Sequence, residues 1–324
     1  MDNERAEDPQ LSIVVAARND DYGGNFLLRM QSFLNNVDEL GKRFGLDFEL
    51  LIVEWNPPQD RAGLQEALTL PSYIADGRIR FFEVPAEMHN RFPNADRVSL
   101  FEYIAKNVGI RRARGQFILA TNPDILYSEA LFKFLASSLQ KGSFYRVDRY
   151  DVPLAPSVSV AQQISFCRKR WFQAHTRYGR IIRYRRKYWF WLLHTWFRRW
   201  GGTSFTPERV LERAQLHTRT AGDFLLMARD HWHLLRGFPE FFTYAHIDAF
   251  MCAQAAAAGL TQVVLPAPLV MYHQEHGRSE NAGRPMTDLD RFITDCDAML
   301  KGEKEYVYND EQWGLATHSL PGIY

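Results

Sequence analysis

Residues 11–20 read LSIVVAARND, a short apolar run with β-branched side chains that ends in Arg18, Asn19 and Asp20. This run predicts a strand that is buried on both faces, as the strands of parallel sheets are. Residues 25–44 then carry apolar side chains at intervals of three and four, which predicts an amphipathic helix. A buried strand that leads directly into a helix is the unit from which parallel α/β sheets are built.

The same unit recurs through the first 150 residues. Further strands are predicted over 48–53, 79–84 and 116–121, and further helices over 64–70, 99–114 and 127–139. We therefore expect an α/β fold with a Rossmann-like, mostly parallel sheet and helices on both faces. Ligands bind such sheets beyond the carboxyl ends of the strands, so the polar residues that follow each strand are the first candidates for a site.

The second half of the chain has a less regular pattern. Residues 143–149 are interpreted as an edge strand, and two short strands are expected over 262–265 and 269–272. Helices are predicted over 246–258 and 288–300 from the spacing of their apolar residues. This half therefore extends the α/β pattern rather than repeating the first half.

Charge and cysteine content exclude several classes of protein. Lys and Arg number 39 against 38 Asp and Glu, so the net charge of +1 gives no general case for nucleic-acid binding. The three cysteines are far apart and form no CxxC pair, which excludes a disulfide framework or a cysteine-based zinc site. The acidic N-terminus does not resemble a secretory signal, and the most apolar run, 188–197, is about half the length of a membrane span. We expect a cytoplasmic location.

One segment departs from this balance of charge. Residues 168–200 contain eleven Lys or Arg, eleven aromatic side chains and no acidic residue, which leaves a net charge of about −10 on the rest of the chain. Such a mixture is typical of a membrane interface with anionic lipid, of a single-stranded nucleic-acid site, and of a packed helical hairpin with a solvated basic face. Because the acidic remainder repels nucleic acid, we expect a basic aromatic helical insertion that binds an anionic membrane surface peripherally, and no nucleic-acid partner.

Six stretches follow one another in a recognisable order. They are LSIVVAARND (11–20), LLIVEWN (50–56), KNVGIRRARGQFILATNPD (106–124), GDF (222–224), HIDAF (246–250) and MYHQEH (271–276). In order and spacing they resemble the glycosyltransferases with the A-type fold, near the large family 2, over roughly residues 11–277. The resemblance implies transfer of a sugar from a nucleotide-diphosphate sugar, a UDP-sugar by default, to a glycan or lipid-linked acceptor with inversion at the anomeric carbon.

The resemblance also implies which residues hold the donor. They lie in the turn after the first strand, at the end of the second strand, in the N-x-G-x-x-x-A-x-G helix, and at the two later motifs: Ala17, Arg18, Asn19, Glu54, Asn107, Arg111, Arg112, Asn122 and Asp223. The arginines of this helix have a second interpretation, because cations at a helix C-terminus interact favourably with the helix dipole.

A divalent metal is implied on Asp124 and His273. His273 is preferred to His276 because it directly ends a strand, and its imidazole favours Mn²⁺ over Mg²⁺. The family's usual Asp-x-Asp motif reads Asn122-Pro123-Asp124 in this chain. From its local sequence alone, Asp124 is equally a turn or helix-capping residue.

The resemblance makes Asp248 the catalytic base that takes the proton of the acceptor hydroxyl. An Asp in a first helical turn is otherwise a favourable charge for the helix dipole, and Asp223 is the rival acid.

The chain then divides into a nucleotide-sugar-binding half, a membrane-facing insertion, the acceptor-binding half of the same domain and a C-terminal tail: 1–150, 151–205, 206–280 and 281–324.

Two other functions remain open. A nucleotidyltransferase has a related sheet and a divalent metal, but it ordinarily carries a lysine in a glycine-rich loop after the first strand, and AARNDDYGG has none. A catalytically silent glycan-binding or assembly protein of the same fold would account for the altered Asn-Pro-Asp motif.

Overall fold

The computed structural model describes residues 8–183, 216–243, 246–277, 285–320 and 322–323, and within them eleven strands form one sheet. The strands are β1 (Leu11–Ala17), β2 (Phe48–Trp55), β3 (Ile79–Val84), β4 (Phe117–Thr121), β5 (Ile125–Tyr127), β6 (Ser143–Val152), β7 (Gln173–Thr176), β8 (Gly179–Ile182), β9 (Phe224–Ala228), β10 (Thr261–Gln274) and β11 (Gly322–Ile323). The helices are α1 (Phe26–Phe44), α2 (Leu64–Ala67), α3 (Ser72–Ala75), α4 (Ala86–His89), α5 (Glu102–Arg112), α6 (Glu129–Ser137), α7 (Val160–Arg170), α8 (Arg229–Leu235), α9 (Ile247–Ala257) and α10 (Leu289–Leu300).

The strands lie in the order β11-β3-β2-β1-β4-β9-β6-β10-β5, and the β7–β8 hairpin is attached to β6. The neighbours β3, β2, β1 and β4 run parallel, and so do β6 and β10. β9 runs antiparallel between β4 and β6, so these two strands point the same way. The carboxyl ends of β1, β4, β6 and β10 therefore face the same edge of the sheet, where ligands of α/β folds bind.

Alternating side chains of β1 bury both faces of the sheet. Ile13 and Val15 enter one hydrophobic core with residues of α1 and α6, while Val14 and Ala16 enter a second core with residues of α5, α8 and α9. Every residue of β1 is buried. The expected α/β architecture, with helices packed around a central sheet, is confirmed.

Three local predictions are wrong in instructive ways. Residues 143–149 belong to β6, which lies inside the sheet between β9 and β10 rather than at an edge. The two strands expected near the C-terminus are one strand, β10, whose register against β6 shifts between Leu265 and Val270. Tyr127, where a helix was predicted to begin, ends β5 instead, because residues 125–127 pair with β10 and Ser128 then caps α6.

The described part of the basic aromatic segment is not wholly helical. Residues 168–170 end α7, and the chain then forms the β7–β8 hairpin against β6. Residues 184–200, and with them most of the aromatic side chains of this segment, lie outside the described residues. Across the described ranges, no helix has both the length and the apolar character that crossing a bilayer requires.

Two glycines of the N-x-G-x-x-x-A-x-G stretch allow α5 to lie close to β1. A Cβ on Gly109 would come within 2.5 Å of Val14 Cγ1, and one on Gly115 within 2.7 Å of Ser12 Oγ. The Gly115 N–H donates a hydrogen bond to Ser12 Oγ (2.8 Å), which joins the start of β4 to β1. This motif therefore has a packing role in the chain.

Substitution of Gly109 should test that role. Overpacking against the buried Val14 costs about 1–3 kcal/mol, and the better helix propensity of alanine offsets up to about 1 kcal/mol of it. We expect Gly109→Ala to lower the free energy of unfolding by about 1–2 kcal/mol in urea titrations. Gly63→Ala is the matched control, because a Cβ there meets nothing closer than 3.5 Å. Equal stability of the two variants would contradict the close approach.

A buried histidine beside β6 makes stability depend on pH. Burial lowers the pKa of His217 to about 3, and the nearby charges of Arg146 and Arg219 act in the same direction. Because histidine in an unfolded chain titrates near pH 6.5, protons bind the unfolded state first as the pH falls. The contribution of neutral His217 is therefore complete above pH 6.5 and is lost at about 1.4 kcal/mol per pH unit below it.

We expect the unfolding free energy of the wild-type chain, relative to that of His217→Gln, to fall by about 2 kcal/mol between pH 7.5 and pH 5. Urea unfolding of both proteins across this range measures the difference, and the substitution's own packing cost cancels because it does not vary with pH. If the unfolding free energies of the two proteins changed in parallel with pH, the prediction for His217 would be contradicted.

Candidate active-site cleft

A cleft of about 400 Å³ opens beyond the carboxyl ends of the central strands. The ends of β1 and β4, the strands β6 and β10, and the first turn of α9 all contribute to its walls. Of the residues predicted for a site, the cleft brings together Ala17, Arg18, Asn122, Asp124, Asp223, Asp248 and His273. The polar residues that follow separate strands thus meet at one edge of the sheet.

An aspartate and two histidines converge at the floor of this cleft. Asp124 Oδ2 lies 3.2 Å from His276 Nε2 and 3.7 Å from His273 Nε2. All three donor atoms lie within 4.8 Å of one another. Ligand atoms that surround one divalent cation at about 2.1 Å lie about 3–4 Å apart. The spacing therefore fits a shared cation, and both histidines belong to the cluster.

The surroundings of the two imidazoles direct their Nε2 atoms toward Asp124. His273 Nδ1 lies 3.2 Å from Asp151 Oδ1, its register partner on β6, and His276 Nδ1 lies 2.9 Å from the carbonyl oxygen of Gly277. Acceptors at both Nδ1 atoms favour protonation there, which is how metal-binding histidines are commonly oriented. Asp124 Oδ1 is buried and has no hydrogen-bond partner. These observations meet the requirements of a divalent metal.

Charge in the cluster is strongly coupled. Burial opposes ionisation of Asp124, but the charges of His273, His276 and Arg29 outweigh it and lower its pKa to about 2. For His273 burial acts the other way, and the carboxylates of Asp124 and Asp151 overcome it and raise the pKa. The cluster therefore favours a positive charge between its donor atoms, which either protons or a metal ion can supply.

A second grouping, formed by Asp151, His273 and Glu275, has a similar spacing. Its carboxylate is already engaged, because Asp151 Oδ1 lies 2.9 Å from Arg149 Nε and Asp151 Oδ2 accepts a hydrogen bond from Gln173 Nε2 (2.9 Å). Asp124 Oδ1 and Asp151 Oδ1 both lack a hydrogen-bond partner, but the ion pairs of Asp124 within the described residues are with the two histidines and not with an arginine. The Asp124 cluster is therefore the better metal site, with Asp151 behind it.

Arg149 joins the two acidic sides of the cleft. Its guanidinium lies against Asp151 and donates to Asp223 Oδ2 from Nη1 (2.7 Å), and all three side chains are buried. Burial alone would lower the pKa of Arg149, but the carboxylates of Asp223, Asp151 and Asp124 raise it. The guanidinium is thus a permanent cation that compensates the acids around it.

Asn122 has a specific reason to be an amide. Its Nδ2 donates to Asp223 Oδ1 (2.8 Å), and its Oδ1 accepts from the buried Lys106 Nζ (2.6 Å). An aspartate at this position would set two carboxylates against each other, whereas an amide can donate to one partner and accept from the other. Lys106 Nζ also contacts Glu102 and the carbonyl oxygen of Gly222, which ties α5 to the cleft floor.

The two candidate bases differ in how firmly they are held. Both carboxylate oxygens of Asp223 accept hydrogen bonds, from Asn122 and Arg149. Asp248, in the first turn of α9, accepts one from the backbone N–H of Gly222 (2.7 Å) and is only half-buried. Both oxygens of Asp223 are therefore occupied, whereas the bond from Gly222 to Asp248 goes to Oδ2, so Asp248 is the acid better placed to receive an acceptor hydroxyl.

Glu54 and Asn19 lie side by side beneath the loop 56–63, next to the cleft wall formed by β1. Glu54 Oε2 accepts from the Leu64 N–H (2.7 Å), and Asn19 Nδ2 donates to the carbonyl oxygen of Ala62 (2.9 Å). Glu54 Oε1 and Asn19 Oδ1 are buried without partners, and burial raises the pKa of Glu54. Two unsatisfied acceptors at this place suit a ligand that carries N–H or O–H donors.

Asn107, Arg111 and Arg112 lie outside the cleft, contrary to their predicted contact with the donor. Asn107 bonds to the backbone of Phe238 in both directions, and the two arginines bond to carbonyl oxygens of the C-terminal segment 313–318. They lie on the face of α5 that meets this segment, which makes them braces of the fold. Neither prediction for the arginines, phosphate or helix dipole, anticipated these backbone partners.

Four residues that contact the predicted ones in and around the cleft were not themselves predicted as site residues: Lys106, Arg149, Asp151 and His276. The strand SFYRVDRYDV mixes charged and apolar residues, and the interpretation of residues 143–149 as an edge strand gave these charges no role. A signal was present, because Arg149 and Asp151 are two residues apart on a strand and so share a face. His276 was visible in the H-x-x-H spacing but ranked second.

No protein-family model matches the chain, and no curated protein matches it either. The geometry of the cleft is therefore the basis for assigning a function to this protein.

Proposed function

We propose that this protein is a glycosyltransferase with the A-type fold that moves a sugar from a nucleotide-diphosphate sugar to a glycan or lipid-linked acceptor with inversion. The observation that carries the proposal is that one cleft contains the Asp124–His273–His276 cluster together with Asp248, which is half-buried and lightly bonded. Sugar transfer from such a donor requires compensation of the diphosphate charge and removal of a proton from the acceptor.

In this proposal Asp124, His273 and His276 hold a divalent cation, Mn²⁺ in preference to Mg²⁺ because two of the three ligands are imidazoles. When bound, the cation supplies positive charge that stabilises the departing diphosphate. Asp151 is a positioning residue, because it holds His273 in the orientation that faces Asp124.

The nucleotide is proposed to lie beside β1, with its base toward Glu54 and Asn19. Both residues have a buried oxygen without a partner, and the N3–H of a uracil base together with a ribose hydroxyl would satisfy them. Arg18 lines the same wall, where its side chain is held by Asp20 and by the carbonyl oxygen of Asn56. Asp223, fixed by Arg149 and Asn122, is assigned to the hydroxyl groups of the sugar.

Asp248 is proposed to accept the proton of the acceptor hydroxyl as that oxygen attacks the anomeric carbon. The Gly222 N–H holds one carboxylate oxygen in place, which orients the other. A single displacement of this kind inverts the anomeric carbon and forms no covalent intermediate. A positioned base typically contributes about 10²–10⁴-fold to the rate.

The alternatives are weaker on specific grounds. A silent glycan-binding protein is favoured by the loss of the first acid of the metal motif, but His276 offers a replacement ligand and Asn122 has its own bonding role. For a nucleotidyltransferase, the loop 18–24 provides no lysine to contact a triphosphate. Release of nucleoside diphosphate from a panel of nucleotide sugars separates transferase from silent protein.

Metal binding should depend on Asp124. Mutation of a residue that only supports a metal ligand usually lowers the metal affinity by about 10–100-fold. Removal of a carboxylate that is itself a ligand should lower the affinity more. We expect Asp124→Asn to weaken Mn²⁺ binding by more than about a hundredfold in calorimetric titrations, with its fold retained by circular dichroism. Glu275→Ala is the control from the competing cluster and should bind normally. The reverse result would move the metal to Asp151, His273 and Glu275.

Transfer should depend on the Asp248 carboxylate. We expect Asp248→Asn to keep its fold and its affinity for nucleoside diphosphate while the transfer rate falls by at least about a hundredfold. Rates are measured as diphosphate release with the nucleotide sugar that the panel identifies. Asp223→Asn is the comparison: near-normal transfer by Asp248→Asn together with loss in Asp223→Asn would assign the base to Asp223. A product with retained configuration would contradict both.

A further inference from the structure

The β7–β8 hairpin presents apolar side chains to the outside of the molecule. Tyr178 at its turn is 91% exposed, and on β8 Ile181 and Ile182 are 49% and 39% exposed. Phe172, which precedes β7, is also exposed. Within the described residues β8 pairs only with β7, so it is an edge strand. An apolar edge of this kind is normally covered by something.

Cations surround these apolar groups. Residues 168–183 contain six Lys or Arg and no acidic residue, and the six side chains are all exposed: Arg168, Lys169, Arg170, Arg177, Arg180 and Arg183. Arg177 lies 5.5 Å from the ring of Tyr178, and Arg183 lies 5.2 Å from the ring of Trp171. Cations interleaved with aromatic and aliphatic groups match a lipid interface, where rings enter the headgroup layer and cations meet lipid phosphates.

We propose that the β7–β8 hairpin, with the end of α7, docks the protein on an anionic membrane surface. Charge complementarity selects this occupant, since a second copy of the chain would oppose like charges across the contact. Single-stranded nucleic acid is disfavoured because the exposed apolar side chains of β8 itself, Ile181 and Ile182, are aliphatic and give a base no ring to stack on, and because the rest of the chain is acidic. Exposed Ile181 and Ile182 instead favour the acyl region of a bilayer.

The hairpin is directly connected to the cleft. β7 pairs with β6 at Arg149 and Asp151, and Gln173 and His175 of β7 contact the Asp151 carboxylate. Docking through the hairpin therefore brings the β6 side of the cleft to the membrane. This last step rests on the proposed glycosyltransferase function, and there it makes the lipid-linked acceptor the expected one.

Sedimentation with sucrose-loaded vesicles tests the docking without requiring any activity. The full chain is incubated with vesicles of phosphatidylcholine alone or with phosphatidylglycerol added, at about 0.1 M and about 1 M salt, where the Debye length falls from about 10 Å to about 3 Å. We expect binding to the anionic vesicles that weakens at high salt, and little binding to the neutral ones. Equal binding to both compositions would overturn the proposal.

Variants locate the contact. Replacing Arg177, Arg180 and Arg183 by Gln should weaken anionic-vesicle binding by up to about a hundredfold, since each basic residue near the surface contributes about fivefold. The matched Lys variant retains the charge and should bind nearly as the wild type does. As a control, the exposed arginines 61, 91 and 291 are replaced by Gln, which should leave binding unchanged.

A third variant, Ile181→Ser with Ile182→Ser, should weaken binding at both salt concentrations, because the apolar contact is not screened. Unfolding midpoints of all variants are compared with the wild type, so that loss of binding is read only from folded proteins. Wild-type binding by the triple Gln variant would place the contact elsewhere in the chain. If the wild-type chain sedimented without vesicles and the double Ser variant did not, the chain would self-associate through β8. That result would overturn the proposal.

Discussion

Asp124, Asp151 and Asp223 lie buried at one end of the sheet, and the cation that all three share is the Arg149 guanidinium, beside the histidines that Asp124 and Asp151 contact. It contacts Asp151 and Asp223 directly and interacts electrostatically with Asp124. Three carboxylates without a compensating cation would repel one another and would favour protonation. Because Arg149 stands on β6, the position of that strand between β9 and β10 determines the whole electrostatic arrangement of the cleft.

The compensation explains the altered Asn-Pro-Asp motif. Asn122 carries no charge, and it bonds at once to Lys106 and Asp223, which an acid could not do. Beside Asp124 stands a second imidazole, that of His276, whose Nε2 lies 3.2 Å from Asp124 Oδ2. The proposed metal site is therefore poorer in carboxylates and richer in imidazoles than an Asp-x-Asp site, which favours Mn²⁺ over Mg²⁺.

The same strand links the cleft to the proposed membrane contact. On one edge β6 places Asp151 against His273 of β10, and on the opposite edge β7 contributes Gln173 and His175 to the same carboxylate. A positioning residue of the proposed metal cluster is thus held from both the sheet interior and the exposed hairpin. A displacement of the hairpin would move the Asp151 side chain and, through it, His273.

The order of β1, α1, β2, β3, α5 and β4 follows from the sequence alone, because apolar periodicity is a local property. Asp124, His273 and Asp248 became candidates because the order of motifs resembles that of a known family, since the local pattern around Asp124 or Asp248 also fits a turn or a helix-dipole charge. Local patterns do not record which strands become neighbours. Contacts between residues far apart in the chain decide three features of the site. They place β6 inside the sheet, pair Asp151 with His273, and bring Arg112 against the C-terminal segment. Charges that look solvated in a strand considered alone become a buried network only when tertiary structure supplies their partners.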